Sequence, residues 1–272
     1  AEYFGAIEGA SLEANKGAYS YAWMIIFAVI AAIMVLIGLY HIRMLPSNQI
    51  PSTTKKTTSE VGRELVAVIA NFFTKKHIFY YICFIILYRL AEGFIMKIAP
   101  LFLRASREVG GLGLSLKEIG TLNGVFGSAA FVLGSLLAGI YVSKFGLKRT
   151  LFTLCCIFNL PFVAYTFLAV TQPTNVYLIG TCITMEYFGY GFGFVGLTLF
   201  MMQQIAPGKH QMSHYAFASG IMNLGVMLPG MVSGYFSDLL GYRDFFIYVL
   251  IATIPAFLIT YFIPFTYDDS KK

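Results

Sequence analysis

The chain has 272 residues, of which 58% are hydrophobic and only 12% are charged, whereas soluble domains carry about 25% charged residues. A soluble fold cannot bury that much apolar surface, so the composition predicts an integral membrane protein. It also excludes nucleic-acid binding as the reason for the net charge of +6. That charge is better explained as a membrane orientation signal.

Seven apolar runs are long enough for a membrane-spanning helix, which needs roughly 20 residues. Five of the runs contain no charge, whereas the fifth contains Glu186 and the second contains Arg89, Glu92 and Lys97. The pattern predicts an all-α multi-pass membrane protein with seven transmembrane helices. In chain order, spans 1 to 7 are Tyr21–Tyr40, His77–Leu103, Ile119–Val142, Thr150–Val170, Val176–Met202, Tyr215–Phe236 and Phe245–Phe265.

Basic residues alternate between the two sets of loops that connect the spans. The positive-inside rule assigns the richer set to the cytoplasm, which places the N-terminus and residues 1–20 outside and the tail 266–272 inside. The chain begins with Ala1 and not Met, so we expect it to be part of a longer protein. The richer set has twelve bases and the other five: Arg43, Lys55, Lys56, Arg63, Lys75, Lys76, Lys144, Lys148, Arg149, Lys209, Lys271 and Lys272, against Lys16, Arg104, Arg107, Lys117 and Arg243.

The long segment 41–76 carries a helical pattern of its own. Five apolar residues recur on one helical face, and basic residues lie nearby, which is typical of a helix on the cytoplasmic membrane surface. The alternative is a basic linker with some helix. The apolar face consists of Val61, Leu65, Val68, Ile69 and Phe72.

Spans 3 and 6 end in the same pattern, two glycines seven residues apart and a base two residues further, at an offset of 95 residues. Glu92 and Glu186 lie 94 residues apart in spans 2 and 5. Spans 2–4 therefore echo spans 5–7 in inverted orientation, which is a signature of transporters. The two patterns are Gly139, Gly146 and Lys148, and Gly234, Gly241 and Arg243.

The segment from Gly139 through Lys144-Phe-Gly146-Leu-Lys148-Arg149 resembles the cytoplasmic loop motif of the major facilitator superfamily, although Ser143 stands where that family usually has Asp. The segments 215–223, 234–246 and 254–255 resemble muropeptide permeases of the AmpG type, whose relatives include acetyl-CoA transporters. The resemblance implies that span 1 (21–40) ends an N-terminal half, that 41–76 joins the halves, and that 77–265 is the C-terminal six-helix half. It also implies a gating role for the motif loop.

Charges inside hydrocarbon are costly, roughly 2.5–3.5 kcal/mol or more, and they usually pair and face the interior. Arg89 and Glu92 are i, i+3 neighbours that can pair, bind a polar solute and take up a proton; the alternative is a structural ion pair. Glu186 is either a proton site or a hydrogen-bonded structural acid. Tyr187 and Tyr190 flank it and can stack on a sugar ring. The remaining candidates are Asn123 and Asn223, which hydrogen-bond either a solute or a neighbouring helix.

These features predict a proton-coupled secondary transporter of a polar organic solute, and the resemblance implies muropeptide uptake across the inner (plasma) membrane. Expected partners are the solute, protons, the lipid bilayer and an N-terminal half, with no nucleic acid. Alternatives are a seven-helix receptor or sensor, or transport of a sugar or acyl-CoA. We expect no enzyme activity, catalytic residue, metal or cofactor. The GxGxxG match at 191–196 lies inside span 5, so we interpret Gly189 and Gly193 as a close-packing face or as a flexible point for gating.

Overall fold

The computed structural model describes residues 13–45 and 57–267, and the chain divides into two compact units after Thr57. Within those two ranges every regular element is a helix. The protein is therefore an all-α multi-pass membrane protein, as its composition predicts. The expectations for residues 1–12, for Lys55 and Lys56, and for the tail from residue 268 concern parts of the chain outside the described residues.

The first unit contains one helix, Lys16–Met44. It is longer at both ends than the predicted span Tyr21–Tyr40, so residues 16–20 form its first turns and not an outer loop. None of the helix residues is buried, and the segment is long and apolar enough to cross a membrane. An apolar helix with no buried side chain needs lipid or another helix around it.

In the second unit, the helices of spans 2 to 4 run to Arg104, Phe145 and Thr171 with short local breaks. The stretch Gln211–Tyr261 is too long for one crossing at about 1.5 Å rise per residue, and Gly241 is non-helical inside it, so it makes spans 6 and 7. Five helical stretches are long and apolar enough to cross a membrane, namely those of spans 1 to 4 and the stretch Gln211–Tyr261. The helices are Thr58–Phe73; Ile78–Tyr88 and Leu90–Arg104; Leu116–Thr121, the π-helical Leu122–Gly127 and Ser128–Phe145; Leu147–Asn159 and Phe162–Thr171; Val176–Phe200 with the π-helical Met201–Ile205; Gln211–Ala252; and Ile254–Tyr261, with a 3-10 turn at Arg107–Val109.

Segment 41–76 contains the helix Thr58–Phe73, whose C-terminal end packs on span 6. Its position on the membrane surface stays a prediction. Phe72 is fully buried, with its ring centroid 4.7 Å from that of Phe217, and a ring nitrogen of His214 lies 3.2 Å from the carbonyl oxygen of Val68. Leu65 and Ile69 remain exposed. The apolar face is thus only partly covered by the protein.

The helix pairs of the second unit support the predicted repeat. Span 2 packs on spans 6 and 7, span 5 packs on spans 3 and 4, and span 4 packs on span 7. If span 2 is exchanged with span 5, span 3 with span 6 and span 4 with span 7, the same packing pairs result. The crossing points also correspond. A Cβ on Gly134 would collide with the backbone of Phe188, and a Cβ on Gly93 would collide with Pro229. The two pairs correspond, because Phe188 lies 95 positions after Gly93 and Pro229 lies 95 positions after Gly134.

Two glycines at equivalent positions of the repeat make the same sharp turn. Gly146 has φ 78° and ψ 149° between spans 3 and 4, and Gly241 has φ 73° and ψ 164° between spans 6 and 7. Side-chain-bearing residues rarely adopt this conformation, which explains why both positions are glycine. Superposition of the two triplets about an axis in the membrane plane stays a prediction.

The glycines inside span 5 confirm the predicted close-packing face. A Cβ on Gly189 would meet the carbonyl oxygen of Ile157, and one on Gly193 would meet the side chain of Phe158. Span 5 consequently lies against the backbone of span 4, which brings the side chains between its glycines close to the centre of the unit.

At each end of the second unit a basic side chain hydrogen-bonds two carbonyl oxygens of another loop. Lys75 donates to the carbonyl oxygens of Ile205 and Pro207, whereas Arg107 donates to those of Gln172 and Pro173, at 2.8 Å each. In each case the two loops that are joined belong to the same predicted side of the membrane. Which set faces the cytoplasm stays a prediction.

Candidate functional site

Arg89 and Glu92 form a buried ion pair in the middle of span 2. The helix is interrupted at Arg89, with φ −105° and ψ 7°, and Glu92 lies in the first turn of the helix that follows. Nε of Arg89 donates to Oε2 of Glu92 at 2.6 Å, and Nη2 donates to Oε1 at 2.5 Å. The two residues are 4% and 6% exposed. This two-pronged geometry is the strongest form of the arginine–carboxylate interaction.

Aromatic residues of span 5 surround the guanidinium. Its central carbon lies 5.3 Å from the ring centroid of Phe194, and Nη2 lies 3.5 Å from the hydroxyl oxygen of Tyr190. The neighbouring Tyr88 donates its hydroxyl proton to the carbonyl oxygen of Gly193 at 2.9 Å. Spans 2 and 5 are thus joined by polar contacts where the ion pair lies.

A cavity of about 150 Å³ opens beside this ion pair, between spans 2, 3, 4 and 5. Five of the seven residues that the sequence suggests for the solute and proton pathway line it, although they come from three different spans. These five are Glu92, Asn123, Glu186, Tyr187 and Tyr190; the other lining residues are Tyr165 and the apolar Ile95, Met96, Ala99, Pro100 and Leu103.

Two polar groups in the cavity wall are unpartnered. Glu186 makes no hydrogen bond or ion pair with any residue of the described ranges, and Oδ1 of Asn123 is buried without a hydrogen-bond partner. Asn123 lies in the π-helical turn Leu122–Gly127, and such turns are frequent at functional sites. A buried acceptor without a donor costs free energy, so these groups are suited to a ligand that supplies donors.

The two remaining candidates of the pathway lie outside the cavity wall. Arg89 lies behind Glu92 and does not line the cavity. Asn223 is exposed on span 6 and is absent from the cavity lining, so the structure does not bring it to the other five.

One functional candidate was missed by sequence reasoning. Tyr165 of span 4 lines the cavity, is almost fully buried, and stacks on Phe246 with a centroid separation of 5.5 Å. It is one of 18 tyrosines and has no charge or motif beside it, so the sequence alone carried no signal that could have singled it out.

The predicted gating loop lies around Gly146, at one end of the second unit. Gly139, Lys144, Gly146 and Arg149 line a separate cavity of about 610 Å³ there, whereas the exposed Lys148 does not. Nζ of Lys144 lies 5.4 Å from the ring centroid of Phe145. This cavity and the cavity beside Glu92 have no lining residue in common. The gating role of the loop stays a prediction.

No protein-family profile matches the chain, but it is similar to curated bacterial proteins. The anhydromuropeptide permease of Escherichia coli K12 is 23% identical over 209 residues, covering 77% of this chain and 41% of the relative. A Rickettsia bellii protein named AmpG 1 is 25% identical over 86% of this chain and 56% of the relative. A Rickettsia prowazekii protein named AmpG 2 is 27% identical over 73% of the chain and 47% of the relative.

The chain spans about half the length of the curated relatives that it matches. The similarity covers most of the chain itself, including the membrane spans that build the cavity. Together with the helical architecture, it confirms the resemblance inferred from the glycine-rich loop and the last spans: this chain is similar to permeases of the AmpG type.

Proposed function

We propose that this chain is the C-terminal half, with one preceding helix, of a secondary transporter that takes up muropeptides across the inner membrane together with protons. The observation that carries the proposal is the small cavity inside the helical unit, whose wall contains both Glu92 and Glu186. The Escherichia coli relative is named an anhydromuropeptide permease, which supports the substrate class.

The ion pair of span 2 supplies a mechanism for proton coupling. Both prongs of the Arg89 guanidinium are occupied by Glu92. A proton on Glu92 removes the negative charge that holds Arg89, and the guanidinium becomes available for a carboxylate of the solute. Because a buried guanidinium without an anion is costly, protonation of Glu92 and binding of an anionic solute favour each other, which is the condition for symport.

The proposal also sets an orientation and a partner. The end that carries Lys75, Lys144, Arg149 and Lys209 faces the cytoplasm, and an N-terminal half docks against this unit to complete the solute pathway. The exposed apolar side chains of spans 3 and 6, such as Leu136 and Met231, suit burial against that half or lipid. In this arrangement the loop at Gly146 acts as the cytoplasmic gate.

Uptake of labelled anhydro-muropeptide into vesicles that contain the full-length protein tests the proposal. We expect accumulation that requires an inward proton gradient and collapses when an uncoupler dissipates the gradient. Binding without accumulation would instead indicate a receptor or sensor. Accumulation that is indifferent to the gradient would leave a transporter but refute proton coupling.

A further inference from the structure

The cavity wall contains two acids and no base. The acids are Glu92 and Glu186. Arg89 is not part of the wall, and both of its prongs are bonded to Glu92. Glu186 is left without a counter-charge among the described residues. A carboxylate in hydrocarbon without a partner is strongly disfavoured relative to its neutral form, so a cation in the cavity would stabilise the ionised form of Glu186.

The uncharged groups of the wall favour the same type of ligand. Asn123 lines the cavity, and its side-chain carbonyl oxygen is buried without a donor. Tyr165, Tyr187 and Tyr190 supply aromatic rings. Carbonyl oxygens accept hydrogen bonds from ammonium groups, and the faces of tyrosine rings attract cations. A carboxylate, a carbonyl and several rings in one small cavity together match an ammonium group and not an anion.

From this geometry we infer that Glu186, Asn123 and the tyrosines of the cavity form a subsite for a primary ammonium group of the solute. This inference deepens the proposed function and rests on it for the identity of the solute. It divides the two acids between two tasks: Glu92 responds to the proton and releases Arg89 for a carboxylate, whereas Glu186 holds the amine. A solute with a peptide portion carries both groups, so the two subsites would fix its orientation.

The decisive comparison uses two muropeptides, one with a free amine on its peptide portion and the same compound after N-acetylation. Each is tested as a competitor of labelled muropeptide uptake by the full-length protein in vesicles. We expect the free amine to compete about tenfold better, which corresponds to about 1.4 kcal/mol. Equal competition by the two compounds would overturn the ammonium subsite while leaving muropeptide transport intact.

Glu186→Gln isolates the charge, because it keeps the shape of the side chain. We expect the preference for the free amine to fall to within about twofold, a change of roughly 0.4 kcal/mol. Glu108→Gln, the same change at an exposed position outside the cavity, should retain the full preference. A Glu186→Gln protein that keeps a tenfold preference would refute the assignment.

A probe unrelated to muropeptides separates this inference from the proposed function. Benzylamine and N-acetylbenzylamine are added to the full-length protein in detergent, and the thermal unfolding midpoint is measured. The ammonium subsite predicts that only benzylamine raises the midpoint, and that Glu186→Gln abolishes the rise. If neither muropeptide is taken up but benzylamine alone stabilises the protein, the substrate assignment fails and the subsite stands. If both or neither of the small compounds stabilises the protein, the subsite fails.

Discussion

Removal of Arg89 should leave Glu92 as a buried acid without its partner. The two side chains are 4% and 6% exposed and meet through two hydrogen bonds of 2.5 and 2.6 Å. Breaking a buried pair from one side typically costs about 3–5 kcal/mol. At about 2–4 °C for each kcal/mol in a domain of this size, Arg89→Ala should lower the unfolding midpoint by roughly 6–20 °C.

A double substitution distinguishes loss of the pair from loss of a charge. Replacing both Arg89 and Glu92 by Met removes the two ions together, and apolar replacements of buried pairs are often neutral or stabilising by about 1–4 kcal/mol. We expect the double variant to melt close to the unaltered protein, although it should no longer couple uptake to protons. Lys97→Ala is the matched control, because Lys97 lies on the same span but is exposed.

The assay is thermal unfolding of the purified full-length proteins in one detergent, followed by tyrosine and tryptophan fluorescence. Because such unfolding is often irreversible, midpoints are compared at one heating rate. If Arg89→Ala melts within 2 °C of the unaltered protein, as we expect for Lys97→Ala, then Glu92 is hydrated or otherwise compensated, with an expected loss below about 1 kcal/mol. The reasoning about a dry, mutually dependent pair would then be wrong.

Three further variants test other parts of the structure. Glu92→Gln, which mimics the protonated acid, should bind solute but take it up without dependence on the proton gradient. If uptake by this variant keeps the normal gradient dependence, Glu92 is only the ion-pair partner of Arg89. Gly146→Val should slow uptake more than it lowers expression, even though the turn itself costs about 1–3 kcal/mol; equal losses indicate a folding role only. Gly191→Ala should destabilise the unit by about 1–3 kcal/mol, because the added Cβ would meet the carbonyl oxygen of Phe131. Gly139→Ala is the control. Its Cβ would have no neighbour within 4 Å, so this variant should be neutral in the same unfolding assay.

The helical architecture and most of the cavity could be predicted from the sequence for one physical reason. Hydrocarbon penalises charged and polar side chains so strongly that the few which occur, such as Glu92 and Glu186, already mark the interior. Glu186 then identified its neighbours Tyr187 and Tyr190 by proximity along the helix. In a soluble protein most acidic residues lie on the surface, so an acid in the sequence would not have indicated the interior.

The remaining features depend on helix rotation, which the sequence leaves open. Asn123 and Asn223 each lie in an apolar span, yet only Asn123 lines the cavity. The π-helical turn at Leu122–Gly127 adds a residue to the helix and changes which face Asn123 occupies, and no periodicity rule anticipates it. Gly120 and Gly124 illustrate the same limit, since their spacing is typical of close packing but neither has a neighbour within 4 Å of an added Cβ.

The repeat places two acids within one residue of equivalent positions, since they lie 94 residues apart, but their surroundings differ in a way that gives them different chemistry. Glu92 follows Arg89 by three residues, whereas the residue three before Glu186 is Ile183, which is fully buried. The first repeat therefore satisfies its own acid, and the second leaves its acid to whatever enters the cavity. A symmetric scaffold with one paired and one unpaired carboxylate can bind a proton and a cationic group at separate acids, since the Arg89 charge distinguishes the two. Placing an arginine at 183 would remove this difference, and we expect it to close the ammonium subsite by pairing with Glu186.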